Sequence, residues 1–357
     1  MKTKLDTKVD EQITESSHIV ASIEDLFYNL RNSILDPPVG LFLSSAATNS
    51  WEYVPFSGQQ SRKPPFEKLD FDFVEHSASG IIILQSCNGL FLCCKSDVFT
   101  KTRYYVCNPT TKHFTELPGH KERTWMAHWM SLAFDPAKSH HYKVVCVRRL
   151  ESNSRKHQHQ IEIYSPNTGS WRICIGPFTT DASFENGVYW NGAIHWLSNE
   201  FGQALYFKID VQVLMSMQMP SINPLDGWNW RTNCYFGESG GHLSYIDTRR
   251  RSMQFDVYEM KRDYSEWYVK YKVDLSSVAA VYPEMLQCTS RSRYSIISVF
   301  RGRERSGGDS FLVLQIQGKV VRFNLVSKTS EMLHELEGGL RHWSINVFPY
   351  IESLCCV

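Results

Sequence analysis

Two stretches of this chain, YYVCNPTTKHFTELP from Tyr104 and IEIYSPNTGSWRICIGP from Ile161, repeat one strand, turn, strand phrase with matched residues. Asn108 and Ser165, Pro109 and Pro166, Thr111 and Thr168, and Phe114 and Trp171 all stand 57 residues apart. Proline presets φ for the second position of a type I turn, and Asn or Ser at the first position bonds back to the turn backbone. Each phrase therefore reads as a β-hairpin. A hairpin cannot bury a face alone, so a long-period repeat of hairpins restricts the chain to a stacked or radial β architecture. Such an architecture is a binding scaffold before it is an enzyme.

Three further turns carry the same logic. Asn88-Gly89 in SCNGLFLCC, Asn191-Gly192 in GVYWNGAIHWLS and Gly240-Gly241 in FGESGGHLSYID supply the positive φ that a tight hairpin needs. Each is followed by another strand, in a succession that ends on polar residues at Asn108, Ser165, Asp210, Glu259 and Asn324. The intervals are 57, 45, 49 and 65, so 216 residues cover four steps at a mean of 54. That period is near the ~50 residues of a kelch-type blade and longer than the ~40 to 45 of a WD40 blade. With GLFLSS from Gly40 as a further unit, residues 39 to 350 hold about six blades. The expectation is an all-β chain forming a β-propeller of about six blades.

Helical patterning is confined to the front. Ile19, Ile23, Leu26, Phe27 and Leu30 follow helical spacing behind Ser22, and Asp36-Pro37-Pro38 stops the run. A turn near Ser276 to Ala280 is the one other helical signal. Residues 1–35 thus read as a polar tail plus a short helix, and 36–357 as the propeller domain.

Composition narrows the function. With 42% hydrophobic and 13% aromatic residues the chain can bury a large core. Its 38 basic and 37 acidic side chains cancel, leaving no overall field to steer it to nucleic acid or an anionic membrane. No window approaches the ~20 apolar residues of a membrane helix, and the charged start MKTKLDTKVDEQ is unlike a secretory signal. The expected compartment is the cytosol or nucleus. Ten cysteines are too dilute for a disulfide framework. Cys93-Cys94 reads as packed thiols in a strand, and Cys355-Cys356 as an exposed tail.

Histidines cluster at His140-His141 and at His157 and His159, with His113, His120, His128 and His195 standing singly. None forms the paired Cys/His spacing of a metal site, and His157-Gln158-His159 reads as part of the solvated run ESNSRKHQHQ. No nucleophile elbow, phosphate loop, metalloprotease helix or dinucleotide fingerprint occurs. The sequence thus names no catalytic residue, cofactor or metal. Candidate partner-binding residues are Trp228, Trp230 and Arg231 in PLDGWNWRTN, because Trp and Arg anchor interfaces, with packing under a blade as the other reading. Arg301, Arg303 and Arg305 form a basic inter-strand run, either a solvated loop or a contact for an acidic partner. Trp125, His128 and Trp129 fall in a connection between strands, whereas Trp171, Trp190 and Trp196 read as core.

The phrases SCNGLFLCC, YYVCNPTTKHFTELP, LAFDPAKSHHYKVVCV and YSPNTGSWR, in that order, resemble the F-box-associated, kelch-like β-propeller region of the plant F-box protein family, over roughly residues 36–350. The resemblance implies a propeller that captures a target protein, and an N-terminal F-box that docks on the Skp adaptor and cullin of a ubiquitin ligase. HIVASIEDLFYNLRNS, from His18 to Ser33, resembles the stretch just beyond an F-box, and no Leu-Pro start precedes it. A truncated or absent F-box is therefore expected. That leaves a substrate-recognition subunit, a module that binds or competes without recruiting a ligase, and a propeller enzyme with a channel metal as the three readings.

Overall fold

Near-continuous apolar runs such as GLFLSS and GLFLCC are what strands buried on both faces require. They are the second strands of their blades. In the computed structural model, residues 38–45, 51–56, 81–95, 102–119, 128–150, 157–180, 182–197, 203–220, 234–248, 252–287, 294–302, 309–336 and 345–357 are described. The expected helix over 19–30 lies outside them, as do Trp228, Trp230, Arg231, Arg303 and Arg305.

The chain opens with β1 (Gly40–Ser45) and β2 (Trp51–Pro55). The first complete blade is β3 (Ile82–Cys87), β4 (Leu90–Lys95), β5 (Arg103–Asn108) and β6 (His113–Glu116). The second is β7 (His128–Ala133), β8 (Lys143–Leu150), β9 (Gln158–Ser165) and β10 (Ser170–Thr179). The third is β11 (Val188–Trp190), β12 (Ala193–Leu197), β13 (Gln203–Lys208) and β14 (Val213–Gln218). The fourth is β15 (Cys234–Ser239), β16 (His242–Asp247), β17 (Gln254–Met260) and β18 (Trp267–Asp274). After two short helices, α1 (Ser276–Val281) and α2 (Glu284–Gln287), the fifth follows as β19 (Ser295–Phe300), β20 (Phe311–Ile316), β21 (Lys319–Asn324) and β22 (Ser330–Glu335). Finally β23 (Ile345–Tyr350) pairs antiparallel with β1, from Gly40 opposite Tyr350 to Ser45 opposite Ile345, to make the sixth sheet, β2-β1-β23. The all-β, six-bladed propeller expected from the sequence is the fold found.

Among the described residues, six apolar clusters lie between successive blades, and each draws from two of them. Leu41 and Leu43 of β1 face Phe300, Phe311, Val313 and Val320 of the fifth blade. Phe42, on the other side of the same strand, faces Phe91, Cys93, Tyr105 and Cys107 of the first. The strand period of two sends alternate side chains to different neighbours, so both halves of the alternation must be apolar. Leu90 and Leu92 likewise pack toward the second blade, while Phe91 and Cys93 pack toward the sixth. Trp190 and Trp196 are core as expected, and Cys93 and Cys94 are both buried.

Strands alternate in direction within each sheet. The turns joining first to second and third to fourth strands therefore open on one face of the disc, here called the hairpin face. Connections between blades open on the other. Asn88-Gly89, Asn191-Gly192 and Gly240-Gly241 all lie in first-to-second turns and all take positive φ. The repeated Pro-Thr phrases are third-to-fourth turns. Arg301 follows β19 on the hairpin face, whereas Met219 and Pro220 leave β14 on the opposite one.

Candidate functional site

The six inner strands β3, β7, β11, β15, β19 and β23 surround a central cavity of about 910 Å³, with Gln85, Trp129, Tyr189, Glu238, Ser298 and Phe348 contributing one lining residue each. Its wall is fastened by side chains that reach the backbone of the next blade. Gln85 donates from Nε2 to the Leu132 carbonyl at 3.1 Å and accepts the Leu132 N–H at 2.6 Å. Asn88 Nδ2 donates to the Phe134 carbonyl at 2.7 Å, Ser86 Oγ to the Pro349 carbonyl at 2.6 Å, and Trp190 Nε1 to the Gly241 carbonyl at 2.9 Å. Two-sided anchoring of this kind holds the channel in one shape, as a binding site needs.

Charge in and beside the channel is unevenly satisfied. Glu259 is fully buried, with Arg301 Nε at 2.9 Å from one oxygen, and with the Tyr268 hydroxyl donating at 2.8 Å and His242 Nδ1 at 3.4 Å on the other. Burial pushes its pKa up, but the bonds from His242 and Tyr268 and the charge of Arg301 outweigh this and hold it below the usual range. Arg301 also donates to the Tyr271 hydroxyl, and its guanidinium lies 5.4 Å from that ring. The sequence placed Arg301 in a solvated basic loop or at a partner surface. The structure instead buries it in an ion pair with a carboxylate of the neighbouring blade. A run of arginines in sequence reveals nothing of a partner two strands away.

Glu238, on β15, is the opposite case. One of its oxygens accepts the Gly241 N–H at 2.7 Å. Burial raises its pKa to about 7, against the lowering effects of the Gly241 bond and His242, and the charge of Asp135 raises it further. Asp135, in the β7–β8 connection, caps its own turn through the Ala137 N–H at 3.1 Å and has Lys138 at 3.7 Å. Neither carboxylate stood out in the sequence. FGESGG reads as a hairpin and FDPAK only as part of a phrase shared with the family, and only the ring brings them to one cavity.

Two histidine expectations change, and a third histidine is placed. His159 is not in a solvated loop: β9 begins at Gln158, and alternation puts His159 on the face of Ile161 and Ile163, against Trp129, Phe178 and Phe184. His128 and Trp129 belong to β7 and line the channel rather than a connection between strands. His195 is fully buried, with Nδ1 3.2 Å from the Val188 carbonyl oxygen and Nε2 3.0 Å from the Tyr264 hydroxyl, and burial lowers its pKa to about 4. Among the described residues no three His, Cys, Asp or Glu side chains gather as a metal site. Cys355, expected in an exposed tail, packs against the cluster between the first and second blades.

The F-box associated beta propeller domain family matches residues 59–213. An F-box protein of Arabidopsis thaliana, At5g07610, is 35% identical over 317 residues, covering 83% of this chain and 74% of the relative. The chain belongs to the plant F-box proteins. A second member of the family, At5g49610 of Arabidopsis thaliana, is 25% identical over 66% of this chain and 67% of its own length. In this F-box protein the family match covers the first two blades and reaches into the third. Among solved structures, the SapL1 lectin with alpha methyl fucoside is similar at a TM-score of 0.42 and 11% identity, over 85% of this chain and 99% of that one. TolB from Acinetobacter baumannii is similar at 0.41 and 10%, over 71% and 54%. Likeness this slight says nothing of what the F-box protein binds.

Proposed function

We propose that this F-box protein captures a target protein at the mouth of its propeller channel and brings it to a ubiquitin ligase through the Skp adaptor and cullin. The observation that carries the reading is family membership together with a rigid, side-chain-fastened channel lined by all six inner strands. Loops on a stiff scaffold are where recognition concentrates. Its contribution is proximity and no covalent chemistry, in the cytosol or nucleus.

Two measurements test this. Recombinant chain mixed with Skp adaptor at micromolar concentrations should co-elute with it on size exclusion. Failure to associate removes the ligase role and leaves a module that binds targets or competes for them. Target contact is read separately, by affinity capture from plant tissue with wild type and with a Trp228→Ala/Trp230→Ala/Arg231→Ala variant. Loss of one protein by at least ten-fold is the outcome expected of interface anchors. Arg303 and Arg305, which follow Arg301 in the sequence, serve as the second cluster.

A further inference from the structure

The hairpin-side half of the channel collects groups from separate blades around one space. Glu238 comes from β15, Asp135 from the β7–β8 connection, Tyr189 from β11 and Cys87 from the end of β3, and all line the cavity. They act on one another electrostatically. Burial first, then the charges of Asp135 and Glu238, push up the Tyr189 hydroxyl, and both carboxylates add to the burial that pushes up the Cys87 thiol.

The basic groups nearby are placed elsewhere. Arg301 is held by Glu259 at 2.9 Å, and Lys138 sits at the solvent edge 3.7 Å from Asp135. Arg262 is exposed at the rim beside Gly241. Among the described residues, Glu238 accepts the Gly241 N–H and feels the fields of His242 and Asp135. A carboxylate kept inside a cavity beside another carboxylate, with no cation against it among the described residues, destabilises the empty protein and is complementary to a cation supplied from outside. Trp129, Tyr189, Trp190, Phe236 and Phe348 line the same cavity. Their rings suit the aliphatic stem of a long basic side chain and attract its charge. A bare metal ion fits less well, because no three ligating groups come together among the described residues.

We propose that this half of the channel is a subsite for one basic side chain, a lysine or arginine on an extended segment of the captured target, with Glu238 as its counter-ion and Asp135 as the second carboxylate. The inference rests on the target-capture reading and gives the target a chemical class. Glu238 carries full charge only above about pH 7, so the subsite should strengthen as pH rises. The groups facing Glu238 are Asp135, Tyr189, Cys87, Tyr235 on its own strand, and His242 on β16, with Arg262 and Arg301 beyond them.

The test uses the full chain and blocked heptapeptides Gly-Ser-Gly-X-Gly-Ser-Gly, in which X is lysine, arginine, norleucine or glutamate, read by calorimetry and by tryptophan fluorescence. Lysine and arginine peptides should bind at least ten-fold more tightly than the other two. Binding of the lysine peptide should strengthen several-fold from pH 6 to pH 8 in wild type and stay flat in Glu238→Gln, which should also lose about ten-fold at pH 8. Asp135→Asn should lose less. Equal binding of lysine and norleucine peptides, or an unchanged Glu238→Gln variant with a native circular dichroism spectrum, overturns the subsite. Capture from plant extract separates this from the broader reading: a target held equally by wild type and a Glu238→Gln/Asp135→Asn variant removes the basic subsite and leaves target capture standing.

Discussion

Asn108 does two jobs, and only one is legible in the sequence. Its side-chain oxygen accepts the N–H groups of Thr110 at 2.9 Å and Thr111 at 3.3 Å, the turn cap that an Asn-Pro step announces. Its amide nitrogen also donates to the carbonyls of Ser353 at 2.9 Å and Cys355 at 2.7 Å, which are 245 and 247 residues away. Asn324 caps the corresponding turn of the fifth blade, through Val326 at 2.8 Å and Ser327 at 2.9 Å. Asn108→Ala should therefore lose about 2–4 kcal/mol, since two carbonyls are left without a donor as well as a turn without a cap, and Asn324→Ala about 1 kcal/mol. Urea unfolding of the two variants side by side measures the difference. Glu238 gives a prediction of opposite sign. A carboxylate whose folded pKa is raised from 4.5 to about 7 favours the fold below 4.5 and loses that contribution as pH climbs through 7. Glu238→Gln should thus raise stability at pH 8 by about 1–3 kcal/mol and leave it unchanged at pH 4.5, seen as a Tm gain that vanishes on acidification. A site that costs the empty protein stability is the usual mark of one kept for a ligand.

At the scale of the hairpin, the repeated phrase sets a backbone conformation more than a residue type. Lys112, Gly169, Gln212 and Lys328 take positive φ between 57° and 61° in the third-to-fourth turns of four blades. In three of these the residue's N–H bonds back to the carbonyl at the strand end, Lys112 to Asn108 at 2.9 Å, Gly169 to Ser165 at 3.0 Å and Lys328 to Asn324 at 3.1 Å. Only one of the four positions is glycine, so a search for glycine punctuation passes over the other three, while the Pro-Thr pair ahead of two of them marks the turn. Surroundings then decide what a side chain there costs. A Cβ on Gly169 meets nothing within 4 Å, whereas one on Gly89, at φ +89°, would stand 2.4 Å from the Ser353 Cβ and 3.0 Å from the Ile351 carbonyl oxygen. Gly169→Ala should lose about 1 kcal/mol through backbone strain alone, and Gly89→Ala at least about 3 kcal/mol because the tail must move. Thermal melts of both variants rank them. Tryptophans recur in the same grammar: Trp171 at the start of β10 donates to the Pro118 carbonyl at 2.7 Å, and Trp267 at the start of β18 to the Gln218 carbonyl at 2.9 Å. Each links a blade's outer strand to the blade before it, which the offset of 57 between Phe114 and Trp171 hinted at only as a shared bulky position.

For the whole molecule, the strand grammar was enough to give the ring because every blade uses the same local pattern. The channel was not, because its carboxylates, its Gln85 clamp and the Glu259–Arg301 pair all span blades and leave no spacing signal. Closure is the remaining step. The last strand, β23, supplies the inner edge of the sheet that begins with β1, and Val347, Phe348 and Tyr350 enter the apolar clusters on both sides of it. Beyond β23, residues 351–357 cross the hairpin face to the first blade, where Ser353 and Cys355 meet Asn108 and the Ser353 N–H donates to Thr110 Oγ1 at 3.1 Å. The ring is thus fastened by a strand ladder and then by a tail. Deleting residues 345–357 should expose the edge of β1 with Leu41, Phe42 and Leu43, and give a protein that associates with itself and unfolds without a sharp transition. Deleting only 353–357 keeps the ladder and removes the partners of the Asn108 amide, for a loss of about 2–4 kcal/mol with cooperative unfolding retained. Because the tail deletion and Asn108→Ala break the same contacts, the combined variant should lose little more than the tail deletion alone, apart from the turn cap of about 1 kcal/mol. Full additivity in a double-mutant cycle would mean that Asn108 and the tail stabilise the ring independently, and that closure rests on β23 alone.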